Sequence, residues 1–192
     1  SWKITWVYLP VGLLCILVSF LYSGGPLPIS RTPFGELASG LTMGCALVLI
    51  TAYAWLYALD PAFIIPALPS TILVGMIMFV NNIRDIENDR KHGRKTLAIL
   101  LGRDKALNLL GMFVWFNAFW IGSWIFSGVL PWYTAAVFLY VIPGLQAVRI
   151  LSRYSDVKHM DKAMGKIAMG TILYHIILSL TLIIGRLQGV LS

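Results

Sequence analysis

The stretch Asn81-Asn82-Ile83-Arg84-Asp85-Ile86-Glu87-Asn88-Asp89-Arg90-Lys91-His92-Gly93-Arg94-Lys95-Thr96 gathers acids, amides and cations that together can do chemistry. On a helix, Asn81, Asp85 and Asp89 fall four residues apart and share one face, one turn from each other. Asn82, three residues before Asp85, joins the same neighbourhood. Carboxylates at this spacing repel by about 0.2–0.5 kcal/mol, so a positive partner is expected. Two arrangements supply one. The surrounding Arg84, Arg90, Lys91, Arg94 and Lys95 can form a surface salt-bridge network. Alternatively, a divalent cation such as Mg2+ can take the carboxylates and complete its shell with water and phosphate oxygens. A pair of Asp beside several cations at a membrane surface suits a lipid diphosphate: carboxylates for the metal, cations for the remaining oxygens. Ile83 and Ile86 keep part of the segment apolar, and Gly93 is placed to end the helix.

The elements that carry this segment are membrane spans. Of 192 residues, 58% are hydrophobic and only 12% charged, and the mean hydropathy is +0.80. A soluble domain carries about 25% charged residues. Half that amount cannot cover a globule of this size, which excludes a soluble domain, a disordered chain and a disulfide scaffold. The two cysteines, Cys15 and Cys45, sit in apolar runs and read as small hydrophobes.

A spanning helix needs about 20 mainly apolar residues. Six stretches qualify: 4–21, 36–59, 63–81, 106–127, 131–150 and 166–187. Gly24-Gly25-Pro26, Asp60-Pro61 and Ser127-Gly128 mark breaks between them. Strand-type alternation is absent, so the expected fold is an all-α polytopic transmembrane bundle of six spans, forming a single domain over 1–192. Pro10, Pro66, Pro69 and Pro143 fall inside apolar runs and should kink helices, leaving carbonyls for neighbours to satisfy.

The net charge of +7 is unevenly placed. Of the 15 Lys and Arg, seven lie in 82–105 and five in 149–166. The positive-inside rule puts both segments, and the loop holding Arg31, in the cytoplasm. Both ends of the chain are then external, and Trp2, Trp6, Trp55, Trp124 and Trp132 gather at outer ends as an aromatic belt. The basic balance is thus a topology signal with an affinity for anionic head groups, and no nucleic-acid partner is expected.

At the Asp-rich segment the sequence resembles the UbiA superfamily of membrane prenyltransferases. Asn81-Asn82-x-Arg84-Asp85-x-Glu87-x-Asp89-x-x-x-Gly93-x-Lys95-Thr96-Leu97-Ala98, then Leu101-Gly102, is similar to that family's second aspartate-rich motif. Tyr22-Ser23-Gly24-Gly25-Pro26-Leu27-Pro28, then Thr32-Pro33-Phe34-Gly35-Glu36, resembles a segment of its 1,4-dihydroxy-2-naphthoate polyprenyltransferase branch. The resemblance implies Mg2+-dependent transfer of a polyprenyl chain from polyprenyl diphosphate to 1,4-dihydroxy-2-naphthoate, with loss of carbon dioxide, in menaquinone synthesis. It implies a multi-pass protein of the bacterial cytoplasmic membrane with the 82–105 segment inside. Asp85 and Asp89 would hold Mg2+; Asn81, Asn82, Arg84, Arg94 and Lys95 would meet the diphosphate or its water; Tyr22 matches a tyrosine near the active site. Some relatives place a Lys where this chain has Pro26, and Arg31 is a candidate substitute.

Family members have nine spans and a first aspartate-rich motif after the second. No such motif occurs elsewhere in this chain, which starts Ser1-Trp2-Lys3 without Met. The six spans are therefore expected to match the fourth to ninth, and the 192 residues alone to be inactive. The remaining candidates have plainer roles. Phe79, Phe113, Trp115 and Phe116 could face an allylic cation, but core or lipid contact is expected. His175 within the last span should bond a neighbouring helix, and Glu36 suits a helix N-terminus. The competing function is a non-catalytic membrane binding or transporter subunit with a salt-bridged loop. A CDP-alcohol phosphotransferase is disfavoured because its Asp-x-x-Asp-Gly-x-x-Ala-Arg pattern is missing.

Overall fold

A computed structural model describes residues 2–57 and 60–189, without the side chains of residues 2–5, 7 and 55. All regular elements among them are helical. Helix α1 is Trp2–Ser23, and α2 (Gly35–Gly40) runs through a π-helical turn, Leu41–Ala46, into α3 (Leu47–Leu56). Helix α4 is Ile64–Arg84, followed by the short α5 (Ile86–Lys91) and α6 (Leu97–Leu101). Then come α7 (Arg103–Phe126), a 3-10 stretch Trp132–Tyr140 leading into α8 (Val141–Arg153), and α9 (Val157–Leu187).

Five of the described segments are long and apolar enough to cross a membrane: 35–54, 61–84, 103–126, 132–153 and 157–187. Tyr8–Ser23 is a shorter apolar helix. The chain is thus an all-α polytopic membrane bundle. The expected second span ends at 58–59, outside the described residues, and the side chains of Trp2 and Trp55 lie outside them too. The largest difference from expectation is α9, which begins nine residues before the hydropathic span does. Asp156 caps it, its carboxylate accepting from the His159 backbone N–H at 3.2 Å. Hydropathy marks the part of a helix within lipid, whereas the backbone stays helical beyond it. Lys158, Asp161, Lys162 and Lys166 therefore stand on helix rather than loop.

The core is built from α4, α7, the 3-10 stretch, α8 and α9, with Phe79, Leu110, Val114, Tyr140, Leu151 and Tyr174 almost wholly buried. Large apolar side chains also face outward, among them Phe119, Leu139, Ile172 and Ile183. Without water outside the bundle, such a surface is the lipid contact rather than a liability. Of the four prolines expected to kink spans, Pro10 and Pro69 lie inside helices, while Pro66 and Pro143 fall in first turns, where a missing N–H costs little. Pro69 frees the carbonyl of Ile65, and the Trp120 indole N–H on α7 donates to it at 3.2 Å.

Helix α4 is also gripped from the other side, by α2 and the π turn. Glycine makes this possible. A Cβ at Gly44 would stand 2.6 Å from the Ser70 carbonyl oxygen, and one at Gly40 would overlap the Thr71 carbonyl oxygen. On α4, a Cβ at Gly75 would press on the Glu36 carbonyl oxygen at 3.2 Å. Small residues let two backbones approach where hydrophobic burial gives no drive for helix association. This close seating brings the start of α2 against the polar end of α4.

Candidate active site

The Asp-rich segment does stay helical in register, with one break. The Asp85 N–H donates to the Asn81 carbonyl at 3.1 Å, and the Asp89 N–H to the Asp85 carbonyl at 2.8 Å. Asp85 itself closes α4 with non-helical dihedrals. Ile83 and Ile86 are buried in the core and anchor this end of the helix. Gly93 follows α5 with φ +69°, a left-handed conformation suited to glycine. The turn it makes lets Arg94 come back on Asp89. The Arg94 N–H donates to the Asp89 carbonyl at 3.0 Å, and its Nη1 donates to Asp89 Oδ1 at 2.8 Å. The next N–H, of Lys95, donates to the Arg31 carbonyl at 2.8 Å, which ties this segment to the loop after α1.

The two aspartates have different surroundings. Asp85 is partly exposed, and Arg84 grips both of its oxygens, Nε to Oδ1 at 2.8 Å and Nη2 to Oδ2 at 2.9 Å. The same guanidinium donates to Asn81 Oδ1 at 2.7 Å and to Asp161 on α9 at 3.0 Å. Asp89 has a side chain only 4% exposed; its Oδ2 is buried with no hydrogen-bond partner. A buried carboxylate oxygen without a donor is costly, a cost that Asp85, with both oxygens bonded by Arg84, does not carry.

A cavity of about 390 Å³ opens beside them, lined by Tyr22, Ser23, Ser30, Arg31, Met78, Asn81, Asn82 and Arg94. A smaller one of about 260 Å³ adjoins it through Arg31 and Arg94 and is lined also by Asn88, Asp89 and His92. Tyr22, Asn81, Asn82, Arg94 and Asp89 are thus brought together. Arg31 faces both cavities and makes no ion pair among the described residues. Arg84 and Asp85 line neither cavity, Arg84 reaching Asp161 and holding Asp85 beside it, and the exposed Lys95 lines neither as well.

A third cavity, about 470 Å³ and mostly apolar, runs between α1 and the second span. Val11, Leu14, Cys15, Val18, Met43 and Ile50 line it, and it shares Tyr22, Ser23 and Met78 with the polar one. The aromatic candidates lie elsewhere, as the plainer reading expected. Phe79 is buried in an edge-on pair with Phe113, and Trp115 and Phe116 line a shallow groove on the outside of α7. His175 bridges helices, with Nε2 2.8 Å from Ser70 Oγ on α4.

Two acidic residues were given no part in the site by the sequence, Glu36 beside the polar cavity and Asp161 behind Arg84. Glu36 is 7% exposed, and its Oε1 accepts from Asn82 Nδ2 at 2.8 Å. Its signal was present, an acid at the mouth of an apolar span, but a helix N-terminus explains such a residue equally well. Asp161 has no local signal, since its partner Arg84 is 77 residues away. Among the described residues no three His, Cys, Asp or Glu side chains cluster to hold a metal. Any metal here would need oxygens from other groups, such as phosphate, water or an amide, as Mg2+ commonly has.

The sequence matches the model of the UbiA prenyltransferase family over residues 1–172. It is 38% identical over 180 residues to a 1,4-dihydroxy-2-naphthoate octaprenyltransferase of Bacillus subtilis (strain 168), covering 94% of this chain and 58% of that one. With the protein of the same name from Haemophilus influenzae it shares 27% identity over 176 residues, 91% of this chain and 57% of the other. A UbiA prenyltransferase domain-containing protein 1 of Mus musculus is 36% identical over 84 residues, 44% of this chain and 25% of the relative. No solved structure is matched significantly. The chain spans a little under three fifths of the length of the first two relatives. Since the family match extends from α1 into α9, the chain belongs to the UbiA prenyltransferase family.

Proposed function

We propose that the protein transfers a polyprenyl chain from polyprenyl diphosphate to 1,4-dihydroxy-2-naphthoate, with loss of carbon dioxide, as a step of menaquinone synthesis in the bacterial cytoplasmic membrane. One observation carries this reading. The donor-rich cavity and the apolar cavity meet at Tyr22, Ser23 and Met78. A site with a cationic end and an apolar arm in the bilayer fits a molecule with a diphosphate head and a hydrocarbon tail. The relatives' names supply the aromatic acceptor.

The residues present suit Mg2+. Asp89 offers a buried oxygen without a partner, and Asp85 stands one helical turn earlier. These two would hold the ion, which as a Lewis acid neutralises the leaving diphosphate. Arg94 and Arg31 line the cavity as cationic donors for phosphate oxygens. Asn81 has its Oδ1 occupied by Arg84, so its amide N–H groups are the part free to donate to an anion. Tyr22, at the junction, marks where head and tail of the substrate part. The segment around α5 and α6 faces the cytoplasm on this reading, in keeping with its cations.

The binding or transporter alternative draws on the ion pairs Arg84–Asp85, Arg84–Asp161 and Arg94–Asp89. Prenyl transfer in membranes carrying the full-length protein separates the two. Asp85→Ala and Asp89→Ala are each expected to lower turnover by about a hundredfold or more. Near-normal turnover in both overturns the assigned roles.

A further inference from the structure

The polar cavity is lined mostly by donors, and Asn82 is the exception. Its Nδ2 is spent on Glu36, because a carboxylate oxygen facing an amide at 2.8 Å requires the N–H side. Among the described residues the Asn82 Oδ1 has no hydrogen-bond partner, and it is not among the sealed orphan atoms, although the residue as a whole is 3% exposed. Asn82 lines the cavity, and Oδ1 is the polar atom of its side chain left over for it. Glu36 cannot easily turn away. Its side chain is buried, and its backbone is seated closely against Gly75, where a Cβ would meet the Glu36 carbonyl oxygen at 3.2 Å. Two more oxygens nearby lack donors: Glu36 Oε2 and Asp89 Oδ2. Both Glu36 and Arg94 lie within electrostatic reach of the Tyr22 hydroxyl.

We infer that Glu36 is a positioning residue: it holds the Asn82 amide with Nδ2 turned inward, so that Oδ1 faces the cavity as a neutral oxygen ligand for a divalent cation. Asn81 and Asn82 then have opposite tasks. Arg84 takes the oxygen of Asn81 and leaves donors for an anion, while Glu36 takes the donors of Asn82 and leaves an oxygen for a cation. Adjacent asparagines of identical type are differentiated by the charge of the residue behind each. The inference rests on the diphosphate-site reading above and adds to it the residue that sets the amide.

The test is thermal melting of the purified full-length protein in detergent, with Mg2+ titrated in the presence of inorganic diphosphate. Wild type is expected to be stabilised by the two together more than by either alone. Glu36→Gln keeps size and hydrogen bonding but can pair with Asn82 in either orientation. The Mg2+ concentration giving half of the melting shift should rise about tenfold or more, as when a ligand loses the partner that orients it. Adding Asn82→Asp should restore the midpoint, because the introduced glutamine amide then donates to one oxygen of the introduced carboxylate and the other oxygen faces the cavity. The Mg2+ dependence of prenyl transfer should move in parallel. An unchanged midpoint in E36Q overturns the inference, as does a shift that the double variant fails to reverse. If E36Q alone lowers the ligand-free melting temperature, the double variant decides: recovered Mg2+ response supports the role, and no recovery overturns it. No joint effect of Mg2+ and diphosphate on wild type overturns the diphosphate site itself, before any variant is compared.

Discussion

Replacing Arg94 by Ala tests how the Asp-rich segment stores its charge. Asp89 is 4% exposed at the side chain, Arg94 is 29% exposed, and they are 2.8 Å apart. Removing the guanidinium leaves a carboxylate buried, with Oδ2 already lacking a donor. Breaking a buried pair from one side costs about 3–5 kcal/mol. Arg94 is partly solvated, so the lower end applies, about 3 kcal/mol. Asp89→Asn leaves instead an arginine that can reach water, at a cost of about 1 kcal/mol. The double variant Asp89→Asn/Arg94→Ala removes the stranded charge, and should be more stable than Arg94→Ala alone by about 1–2 kcal/mol. At about 2–4 °C per kcal/mol for a chain of this size, the single variant melts roughly 6–12 °C below wild type, and the second substitution returns about 2–8 °C. Melting in detergent, without Mg2+ or diphosphate, reads all four proteins. Additive losses, with the double variant least stable, refute the claim that Asp89 is a stranded anion when Arg94 is absent.

Other consequences are simpler to check. Gly44→Val places side-chain carbon where the Ser70 carbonyl stands 2.6 Å away; by separating the second span from α4 it should lower the melting temperature by several degrees, and an unchanged value argues against the close seating. Cys15 lines the apolar cavity and is exposed; in a Cys45→Ser background its alkylation by a maleimide should be slowed by a long polyprenyl diphosphate but not by inorganic diphosphate, and equal rates would remove the tail from that cavity. The Asp156 carboxyl is held below the usual carboxylate range by its hydrogen bond to His159. Since the folded value is depressed, the stabilisation is present above about pH 4 and lost as pH falls through the lower value, so the cap of α9 should fray in that window. Asp156→Asn should flatten this acid dependence in a melting series, and an unchanged slope rules the contact out.

The sequence reached far where its signals are local. Apolar runs of the right length announced the helices, and the four-residue spacing of Asn81, Asp85 and Asp89 held through the break at Asp85. Gly93 ended α5 as expected. The ends of spans were less legible, because hydropathy fades where α9 is still helical. Lys95, the closest match to the motif, and Arg84 were candidates for the phosphate oxygens alongside Arg94, since all are cations in one motif. Their different positions depend on which helix each faces, and a local pattern carries no such information.

What the sequence determined alone is the solvent and the chemistry. Composition requires lipid around the bundle, the cations suggest its orientation, and the motif supplies carboxylates, amides and guanidinium groups within one short segment. Only the tertiary structure decided which of these remain available. Gly40, Gly44 and Gly75 let two helix backbones approach until Glu36 meets Asn82, 46 residues apart in sequence. Arg84 is diverted to Asp161 on α9, and Arg94 is folded back onto Asp89. Charges and amides are short-range partners, so their availability depends on what packs within a few ångströms, and that is a property of the assembled helices rather than of the chain.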